Sequence, residues 1–171
     1  MAQKTTGSGF DPAVAATGLW RKARQAALAS LSGDGMPFNS WVGIAPDSRT
    51  GTCVLLLSDL AVHTVNLKGD PRASLLVVGS RADIGDSPSD ASSESGDDPL
   101  TLPRLTLVGH VTLAGDPDMA APVFLDRHPG AADYAGFSDF RFYRFTPQSA
   151  HLVAGFGRIA DIDPAAFSGL S

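Results

Sequence analysis

The residues of this chain best suited to chemistry gather between positions 58 and 66: Ser58, Asp59, His63, Thr64 and Asn66 within S-D-L-A-V-H-T-V-N. Apolar runs flank this segment at 54–57 and 73–78. Both are too short to span a bilayer and are bounded by turn residues, so they read as buried strands with a helix between them. Ser58 or Asp59 would accept a hydrogen bond from the free N–H groups of the first turn. The helix would turn Val62, Val65 and Leu67 toward a core and leave His63, Thr64, Asn66 and Lys68 on other faces. Gly69-Asp70-Pro71 would stop it. A helix opening directly after a strand end offers unpaired N–H groups and a positive dipole end to an anion such as a phosphate, with an imidazole and hydroxyls close by. A strand-helix-strand packing unit without any ligand uses the same pattern.

Three other positions invite a chemical reading. Ser40 is the one hydroxyl in a row otherwise made of Phe38, Val42 and Ile44, with Asn39, Trp41 and Gly43 on the opposite side of the same strand. It can bond backbone or contact a ligand. Arg104 opens a strictly alternating segment, where its aliphatic stem could cover an edge or its planar fork could grip an anion. Cys53 lies inside an apolar run, the setting of a buried thiol packing as a small hydrophobe.

These groups need a scaffold, and 171 residues with 43% hydrophobic content suffice for one domain with a sizeable core. A net charge of −5 and the absence of a basic block argue against a general nucleic-acid binder. One cysteine excludes a disulfide framework, the amino terminus lacks the apolar segment of a signal peptide, and no run is long enough for a membrane span. A cytoplasmic protein is the default expectation.

Residues 1–10 read as a loose tail. Asp11-Pro12 pairs an N-cap with a proline at the first helical position, predicting a helix to about Arg24. Residues 25–32 and 36–45 form a hairpin around Gly33-Asp34-Gly35. The Ser- and Asp-rich stretch 80–98 has too little apolar surface to offset its ordering entropy and is expected to be a disordered loop insertion. From Thr101 to Leu113 alternation resumes: Leu105, Leu107, Gly109, Val111 and Leu113 share one face, while Arg104, Thr106, Val108, His110 and Thr112 share the other. Asp116-Pro117 starts a helix to about His128, a short helical piece follows at 131–135, and residues 138–146 and 149–156 read as strands. Residues 161–171 are expected to be a tail. About six short antiparallel strands with peripheral helices favour a mainly β, closed or nearly closed barrel. A doubly wound parallel sheet would need a helix in every crossover.

Several ordered motifs then carry a family resemblance: A-L-A-S-L at 27–31 with G-M-P-F-N-S at 35–40, L-L-L-S-D-L-A-V-H-T-V-N-L at 55–67, D-P-R-A-S-L-L-V at 70–77 and R-L-T-L-V-G-H-V at 104–111. Together they resemble the pyridoxamine 5′-phosphate oxidase-like FMN-binding split barrels. H-P-G-A-A-D-Y-A-G-F-S-D-F-R-F-Y-R-F at 128–145 and G-F-G at 155–157 place the chain nearest the haem-utilisation branch. The resemblance covers residues 12 to about 160. It implies a six-stranded antiparallel split barrel over 11–160 and a homodimer holding FMN where the subunits meet. A redox enzyme acting on a small or planar organic substrate would follow, or else a non-catalytic flavin- or haem-binding sensor module.

Where the oxidases carry an Arg after the Pro-aromatic-polar sequence, this chain has Ser40. Where a Ser-Arg-Lys triplet grips the FMN phosphate, it has Ala61, Val62 and His63. The resemblance implies that Ser58, His63, Asn66, Arg104 and the helix N–H groups replace those cations, with Asn39, Ser40 and Trp41 facing the isoalloxazine or ribityl chain. The haem-degrading members of the branch carry an additional carboxy-terminal domain, whereas a single domain is expected here.

Overall fold

A computed structural model of the chain describes residues 10–85, 99–155 and 157–169. Its first helix, α1 (Pro12–Lys22), begins as its sequence predicts: Asp11 Oδ1 accepts the Ala13 and Val14 N–H groups at 2.9 and 3.2 Å. Ala15, Ala16, Leu19 and Trp20 make up its buried face.

Eight antiparallel strands follow: β1 (Gln25–Leu31), β2 (Pro37–Gly43), β3 (Ala45–Asp47), β4 (Thr52–Ser58), β5 (Arg72–Val78), β6 (Arg104–Leu113), β7 (Phe140–Val153) and β8 (Ile159–Ile162). They lie in the order β2-β1-β5-β6-β7-β4-β3, with β8 added to β7. The terminal strands of this order, β2 and β3, are separated in sequence only by Ile44, so the sheet must curl until its two ends lie close together. The product is an open, curled half-barrel, mainly β, with helices α1, α2 (Val62–Gly69) and α3 (Pro117–Arg127) around it.

Alternation makes the barrel's inside and outside. Leu28, Leu75, Leu107 and Ala150 stand opposite one another across β1, β5, β6 and β7, and all are buried. The outward row beside them runs Asn39, Ala29, Ser74, Val108. β4 is buried on both faces, because α3 covers its outer side and forms a second core from Ala45, Val54, Leu56, Ala120 and Phe124. Cys53 is fully buried, and that burial pushes its thiol well above the ordinary range, in keeping with a packing role.

Several expectations need correction. Among the described residues there are eight strands rather than six. The two segments expected at 138–146 and 149–156 are one strand, β7. It stays on β6 through a bulge in which Val108 faces Ser149 and Gly109 faces Pro147. Pro147 has no N–H to give the ladder, and a Cβ at Gly109 would sit 2.1 Å from the Thr146 carbonyl oxygen, so only glycine fits there. β3 and β8 are short strands that no apolar run announces.

The segment from 161 onward is part of the fold as far as Gly169. β8 pairs with β7, and Phe167, 1% exposed, packs on Trp20 with ring centroids 5.9 Å apart. The loop expected at 80–98 begins as an ordered 3₁₀ turn (Arg81–Ile84), where Ser80 and Asp83 cap one another and Ile84 is buried. Residues 86–98, and the tail expected at 1–9, lie outside the described residues.

Candidate functional site

Strand β4 delivers the chain into α2, and the helix packs against β1, β2 and β6. Its orientation differs from the sequence expectation. The buried residues are Thr64 and Leu67, whereas Val62 and Val65 are 55% and 59% exposed. A helix of eight residues has only two turns on which an apolar stripe can act. Here hydroxyls on the barrel wall decide which face turns inward: His63 Nδ1 lies 2.9 Å from Ser40 Oγ, and Asn66 Nδ2 donates to Ser30 Oγ at 3.1 Å.

The start of α2 is not capped by Ser58 or Asp59. Its N-cap is Ala61, which makes no side-chain bond. Ser58 Oγ instead donates to Asp139 Oδ2 at 2.6 Å and accepts the Leu60 N–H at 3.2 Å. Asp59 accepts Lys68 Nζ at 2.8 Å and Arg141 Nε at 2.9 Å. These hydrogen bonds, first from Lys68 and then from Arg141, hold its carboxyl below the ordinary range. The entrance to the helix therefore carries Asp59 and Asp139, and Lys68, the one Lys or Arg of α2, is bonded to one of them.

The expected site residues divide into groups. Ser40 and His63 are in contact, and Asn66 lies one turn along α2 beside Ser30. Ser58 sits at the end of β4 against Asp139. Asn39 and Trp41 point to the outer side of β2, Trp41 being 67% exposed. Arg104 stands at the far end of β6, paired in register with Val78 and Val153, and its guanidinium donates to the Leu100 and Leu102 carbonyls at 3.2 and 3.3 Å. Within one copy of the chain, Arg104 and His63 do not meet.

Sequence reasoning missed Ser30, Asp139 and Arg141. Ser30 had a legible signal, as the one hydroxyl in the inward row Ala26, Leu28, Ser30. Asp139 and Arg141 sit beside α2 only because β7 pairs with β4, a pairing between segments about eighty residues apart.

His63 is half-buried, and burial lowers its pKa, favouring the neutral imidazole. In the tautomer that donates Nδ1–H to Ser40, Nε2 keeps its lone pair, the arrangement of a metal-ligating histidine held by an outer partner. Next to it are two exposed apolar side chains, Val62, which precedes it on α2, and Phe38, two residues from Ser40 on the same side of β2. A phosphate dianion suits this place poorly, because two carboxylates flank the helix entrance and no Lys or Arg is bonded to Ser40, His63 or Asn66 among the described residues. A neutral nitrogen ligand among apolar surfaces suits a haem-type macrocycle.

Comparison with known proteins gives the lineage. The family model described as CREG, beta-barrel, matches residues 10–168. The non-canonical heme oxygenase HOZ, chloroplastic, of Arabidopsis thaliana is 34% identical over 124 residues, which is 71% of this chain and 33% of HOZ. A heme-binding protein from Mycobacterium smegmatis superposes with a TM-score of 0.76 at 28% identity, over 92% of this chain and 60% of its own. The chain thus spans a third to three fifths of these two relatives. A pyridoxinephosphate oxidase family protein from Clostridium acetobutylicum shares the fold, with a TM-score of 0.64 at 13% identity over 91% of this chain.

Proposed function

The chain belongs to the CREG beta-barrel family, and from that premise we propose that it binds haem on the shelf formed by α2 and β2, with His63 as the iron ligand. One observation carries the reading: an imidazole held by Ser40, whose burial favours its neutral form, beside the exposed Val62 and Phe38 and, among the described residues, with no cation bonded to it of the kind an FMN phosphate would need. Haem-binding relatives at 28% and 34% identity support it. When bound, haem would supply oxygen and electron-transfer chemistry. The protein's part would be to present His63 Nε2, to fix the ring through Ser40 and to offer Val62 and Phe38 as apolar cover.

The proposal includes a second copy. The outer face of the β2-β1-β5-β6 sheet exposes Trp41, Leu76, Val78 and Val108 around the small residues Ala27 and Ala29. Large exposed apolar residues on three strands, with two alanines of a fourth between them, are the mark of an interaction surface. A self-pairing, two-fold contact is its simplest occupant. That contact would also bring the partner copy's sheet near Trp41, Asn39 and Arg104.

FMN is the competing occupant, as in the oxidases the sequence resembles, and Arg104 of a second copy would then have to supply charge. Titrating the purified protein with haemin and, separately, with FMN distinguishes them. A saturable Soret shift abolished by His63→Ala supports the haem site. Quenching of flavin fluorescence without a Soret change, lost in Arg104→Ala, assigns the site to FMN instead.

A further inference from the structure

On the other flank of α2, away from Ser40, lies a cleft of about 370 Å³ lined by Leu67, Pro71, Val111, Leu113 and Tyr143, with Lys68 and Arg141 also on its wall. We propose that it binds an amphipathic monoanion, a carboxylate carried on an apolar body. Its volume falls within the range of small-molecule sites.

The buried residues Leu67, Val111 and Tyr143 contribute apolar wall, and Leu113, 58% exposed, forms an apolar lip. Both cations on the wall are bonded to the same carboxylate, Asp59, through Lys68 Nζ at 2.8 Å and Arg141 Nε at 2.9 Å. Two positive groups against one negative leave a surplus of one positive charge. Neither pairing exhausts its donors: an ammonium has three N–H groups and a guanidinium five. Among the described residues, Arg141 makes no other bond, so its terminal amino groups are open to an incoming carboxylate. A carboxylate head at Lys68 and Arg141 with its body on Val111 and Leu113 satisfies both halves of the lining. A dianion would exceed the surplus charge, and a neutral apolar molecule would leave it uncompensated.

The cleft shares no lining residue with the Ser40–His63 contact, so it stands or falls separately from the haem reading. The probes are 2-naphthoate and, as a neutral counterpart of the same shape, 2-naphthylmethanol, each followed by methyl NMR of the full chain. The expected result is a saturable shift at Leu67, Val111 and Leu113 with naphthoate, and binding of the alcohol weaker by about tenfold or more. Arg141→Gln is expected to weaken naphthoate by at least about tenfold and leave the alcohol unchanged, while Leu113→Gln weakens both and His63→Ala neither. Leu113 is exposed, so its variant keeps the test valid should Arg141→Gln lower the melting temperature. Equal affinity for acid and alcohol, shifts confined to other methyls, or no saturation overturns the proposal.

Discussion

Replacing Ser40 by alanine isolates the step on which the haem reading depends. The hydroxyl lies 2.9 Å from His63 Nδ1 in a half-buried setting. Its loss removes one neutral hydrogen bond, a cost of about 0.5–1.5 kcal/mol. In a domain of this size, that lowers the melting temperature by about 2–4 °C for each kcal/mol lost. If the bond served stability alone, nothing more would follow. If the hydroxyl aligns the imidazole for iron, haem affinity falls further, by about 10–100-fold, as when an outer partner of a metal-ligating histidine is removed. The assay is a haemin titration read at the Soret band beside a thermal melt, on wild type, Ser40→Ala, Ser40→Thr and His63→Ala. Ser40→Thr keeps a hydroxyl and is expected to retain most of the affinity. An unchanged titration in Ser40→Ala and His63→Ala, with only the melt displaced, would refute the assignment of iron to His63.

Three further outcomes follow from the same structure. Phe167→Ala removes a ring that is 1% exposed and packed on Trp20, and is expected to cost about 3–5 kcal/mol in chemical denaturation; a loss below about 1 kcal/mol would mean that the carboxy-terminal segment does not belong to the core. Leu76→Asp places a charge at the centre of the outer sheet face and should halve the mass measured by light scattering, whereas an unchanged mass would remove that face as the contact between copies. Burial lowers the His63 pKa, so the folded state binds fewer protons than the unfolded one, and this contribution is full above the unfolded value of about 6.5 and lost as pH falls below it. Wild type should therefore lose more stability on acidification than His63→Gln, and parallel profiles would contradict a buried neutral imidazole.

Much of the barrel was legible because alternation is a local signal. Leu105, Leu107, Gly109 and Val111 of the row read from spacing face inward and Asp11 caps α1, both as expected, whereas Leu113, the last member of that row, is 58% exposed at the end of β6. What escaped was decided by pairing across distance. β7 runs unbroken past Pro147 because β6 yields a glycine opposite it, and nothing local to 138–156 reports on residue 109. Phe167 is buried by Trp20, almost 150 residues away in sequence. The inward face of α2 was misread for the same reason: two valines pointed one way, and the partners that overruled them, Ser30 and Ser40, lie on other strands. Ser40 itself was legible as a hydroxyl out of place in an apolar row, and its partner proved to be another of the expected site residues.

The two sites proposed on α2 have a common origin in Asp59. Standing just before the helix, its carboxylate draws Lys68 and Arg141 to itself and is ionised well below neutral pH. That pairing places both cations on the cleft flank and leaves the Ser40 flank with an imidazole whose neutral form burial favours and with exposed Val62. A charge that might have answered a phosphate is thereby held away from where a phosphate would lie. Asp59→Asn should loosen both cations at once, strengthening naphthoate binding in the cleft and improving the match of the α2 entrance to anions. Haem affinity, which depends on the apolar shelf and on His63, should change little. A variant in which haem and naphthoate binding fell together would show that Asp59 supports the whole helix rather than dividing its charge.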